Sequence, residues 1–300
     1  MQSDRRSDPD VYGPADLDGR KGEYVSKKWH TALKGRHTIA ACSVLILFFF
    51  AVAIFAPWIA PHDPVKVDLA HKLDGPSAQH WLGTDHLGRD NLSRLIYGAR
   101  VSLGFAFVIF LSSLVLGILI GALSGYVGGW LDNLIMRVCE GIMAFPNLVL
   151  VLGIVGIFGP GLMQVLLALL MVQWVYYARI CRNMVISLKE RPFIAAARVS
   201  GSSSWQIIRR HIIPNVQRPI VVIATLEMGW AIMDISALSF LGLGIQPPNA
   251  EWGAMIHEGT SHIRSHPELM IYPGILILIV VITFNIVGEA LSERYGVAKR

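Results

Sequence analysis

Six membrane-crossing helices and no sheet form the fold that this sequence predicts, on three observations. Charged residues are absent from Thr38 to Pro61, from Val101 to Leu131, from Gly141 to Ala178 and from Leu269 to Gly288. Each stretch meets or approaches the roughly 20 apolar residues that cross a bilayer core about 30 Å thick. The 300 residues are 53% hydrophobic and only 16% charged, a balance foreign to soluble domains. Polar residues gather instead in connections, among them Arg191 to Pro214.

Residues 1–37 are polar and lack a hydrophobic pattern, which predicts a largely disordered tail. Its Lys27, Lys28, Lys34 and Arg36 would lie near lipid headgroups. The apolar segment that follows is too long, and starts too late, for a cleaved signal peptide. The first span is therefore a retained helix, about Thr38–Ala60, ending at Pro61. With the polar connection after it, this makes one unit over 38–100, and 101–300 forms the core with five further spans.

In the connection, Gly83 and Gly88 punctuate turns, and Asp90 is placed to cap a helix running through Arg100. Arg89, Arg94 and Arg100 are expected to pair with acids or headgroups. His71, His80 and His86 lie among Asp74, Asp85 and Asp90, yet their spacing matches no metal-ligand motif, so no metal site is expected. The second span, about Val101–Tyr126, carries Gly117, Gly121 and Gly125 at intervals of four, a face that lets a neighbouring helix backbone come close. A turn at Gly128 and Gly129 leads to the third.

Gly141 to Ala178 holds 38 uncharged residues. As one helix that is about 57 Å, nearly twice the hydrocarbon thickness. Phe158-Gly159-Pro160-Gly161 is the expected break, giving a third span of about Leu131–Ile157 and a fourth of about Leu162–Asn183. The fifth, about Asn215–Leu241, contains Glu227 and Asp234, seven residues apart and so on nearly one face. Acids are costly in a bilayer, and they read either as an interhelical hydrogen-bonded pair or as the polar wall of a translocation path. The sixth runs over about Leu269–Leu291. His257, His262 and His266, just before it, read as solvated loop residues.

Six spans put both termini on one side. Residues 1–37, 179–218 and 292–300 hold eight, eight and three Lys or Arg, against five in 61–100 and one in 243–268. By the positive-inside rule the richer side is cytoplasmic, which accounts for the formal charge of +5 without nucleic acid. Cys42, Cys139 and Cys181 lie in or beside apolar spans and imply neither disulfides nor zinc.

The Arg191–Pro214 loop looks built. Pro192 can open a helix, Gly201 allows a turn, and Ser203 with Gln206 has capping-box spacing for a second short helix that should stop before Pro214. Trp205, Ile208 and Ile212 are expected to share its face. This stretch resembles the EAA loop of the membrane subunits of ABC importers: Ala196, Ala197, Gly201, Ile213 and Pro214 fall on that pattern. Ala195 stands where the Glu usually is, so a grip there would rest on shape.

Two longer stretches are more specific. HWLGTDHLGRDNLSRLIYGARVSL, from His80 to Leu103, and FLGLGIQPPNAEWGAM, from Phe240 to Met255, resemble signatures of the second permease subunit of dipeptide, oligopeptide and nickel importers. Phe284, Asn285, Gly288 and Glu289 approximate a further pattern of that subfamily. The resemblance covers nearly all of 38–291. It implies the type I ABC importer permease fold in a bacterial inner membrane and a heterodimer with a homologous permease. It also implies two ATPase subunits holding ATP and Mg, and an extracytoplasmic substrate-binding protein. Ala195, Ala196, Ala197, Gly201, Trp205 and Pro214 would then lie in or beside the loop that docks on the ATPase.

No G-x-x-x-x-G-K-[ST] loop, nucleophile elbow or H-E-x-x-H helix is present, so the chain is expected to be no enzyme and to hold no cofactor. Peptide is the expected cargo, with nickel complexes and opine-like molecules as alternatives. A stand-alone secondary transporter or channel is the competing class, and no inverted repeat supports it.

Overall fold

The computed structural model describes residues 36–294. The expected disordered tail over 1–37 therefore lies almost entirely outside the described residues. Helix α1 spans Arg36–Ile59. After a polar connection come α2 (Asn91–Val127), α3 (Gly129–Met143), α4 (Asn147–Phe158) and α5 (Leu162–Lys189). Two short helices follow, α6 (Pro192–Val199) and α7 (Ser204–Ile207), and then α8 (Ile213–Phe240), α9 (Trp252–Gly259) and α10 (Glu268–Arg294). Among the described residues, five helices are long and apolar enough to cross a membrane, or six if the bent pair α3–α4 counts as one span.

Asp90 caps α2 by accepting the Ser93 N–H at 2.8 Å, and the helix runs on for 37 residues. The capped segment and the second span are thus one rod about 55 Å long. The third span departs from expectation. Instead of one helix over Leu131–Ile157, α3 and α4 meet at an angle of 89°. Pro146 is the cause: its φ of −55° and ψ of 130° are extended, and a proline has no N–H to continue the α3 ladder. The Gly159–Gly161 break falls where the sequence placed it, between α4 and α5.

α2 and α5 run side by side, and the three glycines of α2 face α5. A Cβ on Gly117 would collide with Tyr177 and the backbone at Trp174 and Ala178; one on Gly121 would meet Ala178 and Cys181, and one on Gly125 Arg182 and Val185. The core divides in two. One cluster gathers Phe49, Leu103, Leu169, Ile232 and Ile235 near Trp252; the other joins Tyr126, Tyr177, Ile194, Ile207, Ile212 and Val216 at the opposite end of α2. Leu47, Ile54 and Leu278 remain exposed, as lipid-facing side chains must.

Gly121→Leu should overpack the α2–α5 contact at a cost of about 1–3 kcal/mol or more. Gly104→Leu, on the same helix with no atom within 4 Å of its added Cβ, should not. Thermal unfolding of both variants in detergent checks this; equal stability would remove the packing role of the glycine face.

Candidate functional site

Three places in the fold gather polar chemistry. The first is a cavity of about 470 Å³ between α5, α8 and the α3–α4 bend. α8 contributes Glu227, Trp230 and Asp234, which its pitch stacks on one face; α5 contributes Gln173, Tyr176 and Tyr177. The bend carries Phe145 and Asn147 to the wall, where a straight third span could not have put both. Gln173 Nε2 donates to Asp234 Oδ2 at 3.0 Å. No Lys or Arg is among the lining residues, so neither carboxylate has a cationic partner on the wall. The cavity suits a solute with a positively charged group.

The second is the loop after α5. Pro192 stands in the first turn of α6, and Gly201, with φ +79°, makes the reversal. Ser203 and Gln206 close a reciprocal capping box: the Gln206 N–H donates to Ser203 Oγ at 3.3 Å, and the Ser203 N–H to Gln206 Oε1 at 2.8 Å. The second helix does not stop before Pro214. It widens into a π-helical segment, Ile208–Ile212, and continues into α8. The Ile213 N–H reaches back to the Ile208 carbonyl, and Pro214, lacking an N–H, occupies the first turn of the next helix without forfeiting a bond.

The π turn also shifts the register of faces. Ile207, Ile208 and Ile212 are buried, whereas Trp205 is 63% exposed rather than sharing their face. Ile194 anchors α6 in the core while Ala195, Ala196 and Gly201 stand in solvent and Ala197 is half-buried. Val199, which sequence reasoning passed over, is 90% exposed at the tip; an apolar residue next to a predicted turn was the available signal. Beneath the loop, Lys189 Nζ donates to the Tyr126 carbonyl at 2.7 Å, and Lys189 and Arg198 both lie over the Tyr126 ring. Arg182 and Ser124 hydrogen-bond Asp132 beside it, tying α2, α3 and α5 together.

The third place lies at the other end of α2. Arg89 Nη2 and Arg94 Nη2 donate to one oxygen of Glu258 at 2.7 and 2.8 Å, and Arg89 Nε donates to Asp85 at 2.7 Å. Both guanidiniums are 1% exposed. Nearby, Glu251 accepts from Ser102 Oγ at 2.9 Å and from the Ala254 N–H at 2.8 Å. Burial pushes its carboxyl above the usual range against the pull of those donors. Trp252 Nε1 donates to the Leu95 carbonyl at 3.0 Å, and its indole fills the space that a side chain on Gly98 would need. The two long sequence motifs therefore meet in a buried polar joint, which Glu258, three residues beyond the second motif, completes.

A multi-pass helical bundle with a broken third span, an acid-lined cavity and an exposed helix-turn-helix at one end defines a membrane transport subunit. The chain belongs to the binding-protein-dependent transport system inner membrane component family, which it matches over residues 117–296. Residues 31–76 match the N-terminal TM domain of oligopeptide transport permease C.

Among similar proteins is the nickel transport system permease protein NikC of Escherichia coli K12, 40% identical over 87% of this chain and 95% of its own length. The dipeptide transport system permease protein DppC of Alkalihalophilus pseudofirmus is 42% identical over 83% and 82%. The glutathione transport system permease protein GsiD of Pectobacterium atrosepticum is 37% identical over 88% of each. In fold the chain is similar to the inward-facing MetNI methionine ABC transporter, with a TM-score of 0.54 and 20% identity over 68% of this chain and 96% of that one. The protein is a membrane-embedded permease subunit of a binding-protein-dependent ABC importer of the peptide and nickel family.

Glu258→Ala should cost about 3–5 kcal/mol, because it leaves two buried guanidiniums without their shared carboxylate. Arg137→Ala, which breaks the exposed Arg137–Glu140 pair, should leave the melting temperature unchanged. Differential scanning fluorimetry of the two purified variants makes the comparison, and equal melting points would demote the buried cluster.

Proposed function

We propose that the chain is one half of the translocation path of a di- or oligopeptide importer. It pairs with a homologous second permease, receives cargo from an extracytoplasmic binding protein, and is driven by two ATPase subunits at the cytoplasmic face, where ATP and Mg are held. The chain contributes no catalytic group and no cofactor of its own. The observation that carries this reading is the loop of α6 and α7. Its outer residues are exposed, its inner isoleucines are buried in the bundle, and its second helix is continuous with α8, which carries Glu227 and Asp234.

A motor that grips Ala195, Ala196, Val199, Gly201 and Trp205 would hold a lever rigidly joined to the cavity wall. The grip rests on shape and apolar contact, since Ala195 offers no charge. Both termini and this loop then lie on the cytoplasmic side, a reading that the distribution of Lys and Arg supports. Carboxylates without a cationic partner on the cavity wall suit the ammonium end of a peptide. They suit a cationic nickel complex equally well, and the identity to a nickel permease keeps that second reading alongside.

Ala196→Trp places a bulky side chain on the exposed face of α6. The variant should insert and assemble, yet lose at least about tenfold of cargo-stimulated ATPase activity in the reconstituted complex. Undiminished stimulation would mean that α6 does not dock the motor.

Glu227→Leu combined with Asp234→Leu should lower uptake of a labelled dipeptide by at least about tenfold in proteoliposomes while assembly persists. Unchanged uptake would reduce the two acids to packing residues. Running the same assay with labelled nickel separates the two cargo readings.

A further inference from the structure

The connection between α1 and α2 brings together residues that the sequence keeps far apart. His62, His80 and Asp90 each offer one ligand atom, and these atoms all lie within 4.8 Å of one another. We propose that they form a binding site for a divalent transition-metal cation of the zinc, nickel or copper class, which clasps the exit of α1 to the start of α2. The inference is independent of what the translocation path carries.

The donor set selects the ion. Two imidazole nitrogens and one carboxylate oxygen suit borderline cations, whereas magnesium and calcium prefer all-oxygen cages. The arrangement is also held in place by bonds that do not need a metal. The His62 backbone N–H donates to Ser93 Oγ at 3.0 Å, fixing it to the first turn of α2. The His80 N–H donates to Ser77 Oγ at 3.0 Å, and the His80 carbonyl accepts the Gly83 N–H. Asp90 uses Oδ2 to cap α2 and leaves Oδ1 facing His80 Nδ1 at 2.9 Å.

That last contact matters chemically. Without metal the two atoms share a proton; an ion held between His80 Nδ1 and Asp90 Oδ1 takes that proton's place, so binding releases it. A third imidazole is near: His71, whose ring lies 6.3 Å from that of His80, is paired through Nδ1 with Asp68 at 3.1 Å. The rings of His62 and His80 are 4.8 Å apart. His62 is exposed while Asp90 is buried, so an ion could enter from solvent and rest against a fixed carboxylate.

The other candidate cluster is different. Asp85, His86 and Glu258 also lie within 4.8 Å of one another, but Asp85 and Glu258 are engaged by Arg89 and Arg94. Two buried guanidiniums beside it would repel a cation. This contrast supplies the internal control.

The test uses the full-length chain purified in detergent with a tag free of histidine and stripped by a chelator. Zinc and nickel are titrated calorimetrically, and bound metal is counted by mass spectrometry after desalting. One equivalent should bind. Affinity should fall by at least about tenfold in His62→Ala and in His80→Ala, and stay unchanged in His86→Ala and His262→Ala. Asp90 is left intact because it caps α2.

His62 is exposed, so its variant should fold; if His80→Ala does not, copper loaded in place of zinc gives a second readout. Its electron paramagnetic resonance spectrum should show two coupled imidazole nitrogens in the native chain and one fewer in His62→Ala. Affinity and spectrum unaffected by His62→Ala, or binding lost equally in His86→Ala, would overturn the site.

Discussion

The close contact between the glycine face of α2 and the backbone of α5 is the constraint on which the remaining geometry depends. Because Gly117, Gly121 and Gly125 add no side chain, the two helices approach until Tyr177, Ala178 and Cys181 occupy the space a Cβ would need. That approach decides both ends of the bundle. At one end it places Tyr126 beside Lys189 and under Arg198, where the loop of α6 and α7 begins. In the middle it fixes the rotation of α5, so that Tyr177 meets α2 and Gln173 meets Asp234 across the cavity. Lipid supplies no hydrophobic force between helices, and close van der Waals packing of this kind is what holds them.

The buried joint of Arg89, Arg94, Asp85 and Glu258 works on a different physical basis. Taking four charged groups out of water costs heavily, and their mutual attraction returns that cost only where the geometry is good. Such a cluster contributes little net stability and much specificity, since a slipped register would leave a charge unpaired. Here it welds the start of α2 to α9, and Trp252 seals the seam against Gly98. With this end fixed and the α6–α7 loop exposed at the other, displacement applied to the loop has one continuous helical route inward, through the π segment into α8.

The sequence made much of this legible. The charge-free stretches located the spans because hydrocarbon tolerates no ionised side chains without partners. The cap at Asp90, the break at Gly159–Gly161 and the box of Ser203 and Gln206 were read correctly because each is a local device, complete within a few residues. The errors have equally physical causes. Pro146 was visible but sat within an apolar run of the length expected for one span, and length outweighed a single residue. Pro214 looked like a stop because proline ends an α-helix; a π turn before it removes the conflict, and the same turn moved Trp205 off the buried face.

What the sequence by itself determined was the class: an all-α chain in a bilayer, the polarity of its connections, and a capped loop whose motifs are those of importer permeases. These follow from composition and short-range patterns, which require no knowledge of what packs against what. Only the tertiary structure decided that Glu227 and Asp234 share a cavity with Gln173 and the α3–α4 bend. It alone showed that the two long motifs meet, Glu251 at Ser102 and Trp252 at Leu95, and that His62, His80 and Asp90 converge. Each of these joins side chains through contacts between elements distant in the chain, and no periodicity in a sequence encodes a distance between helices.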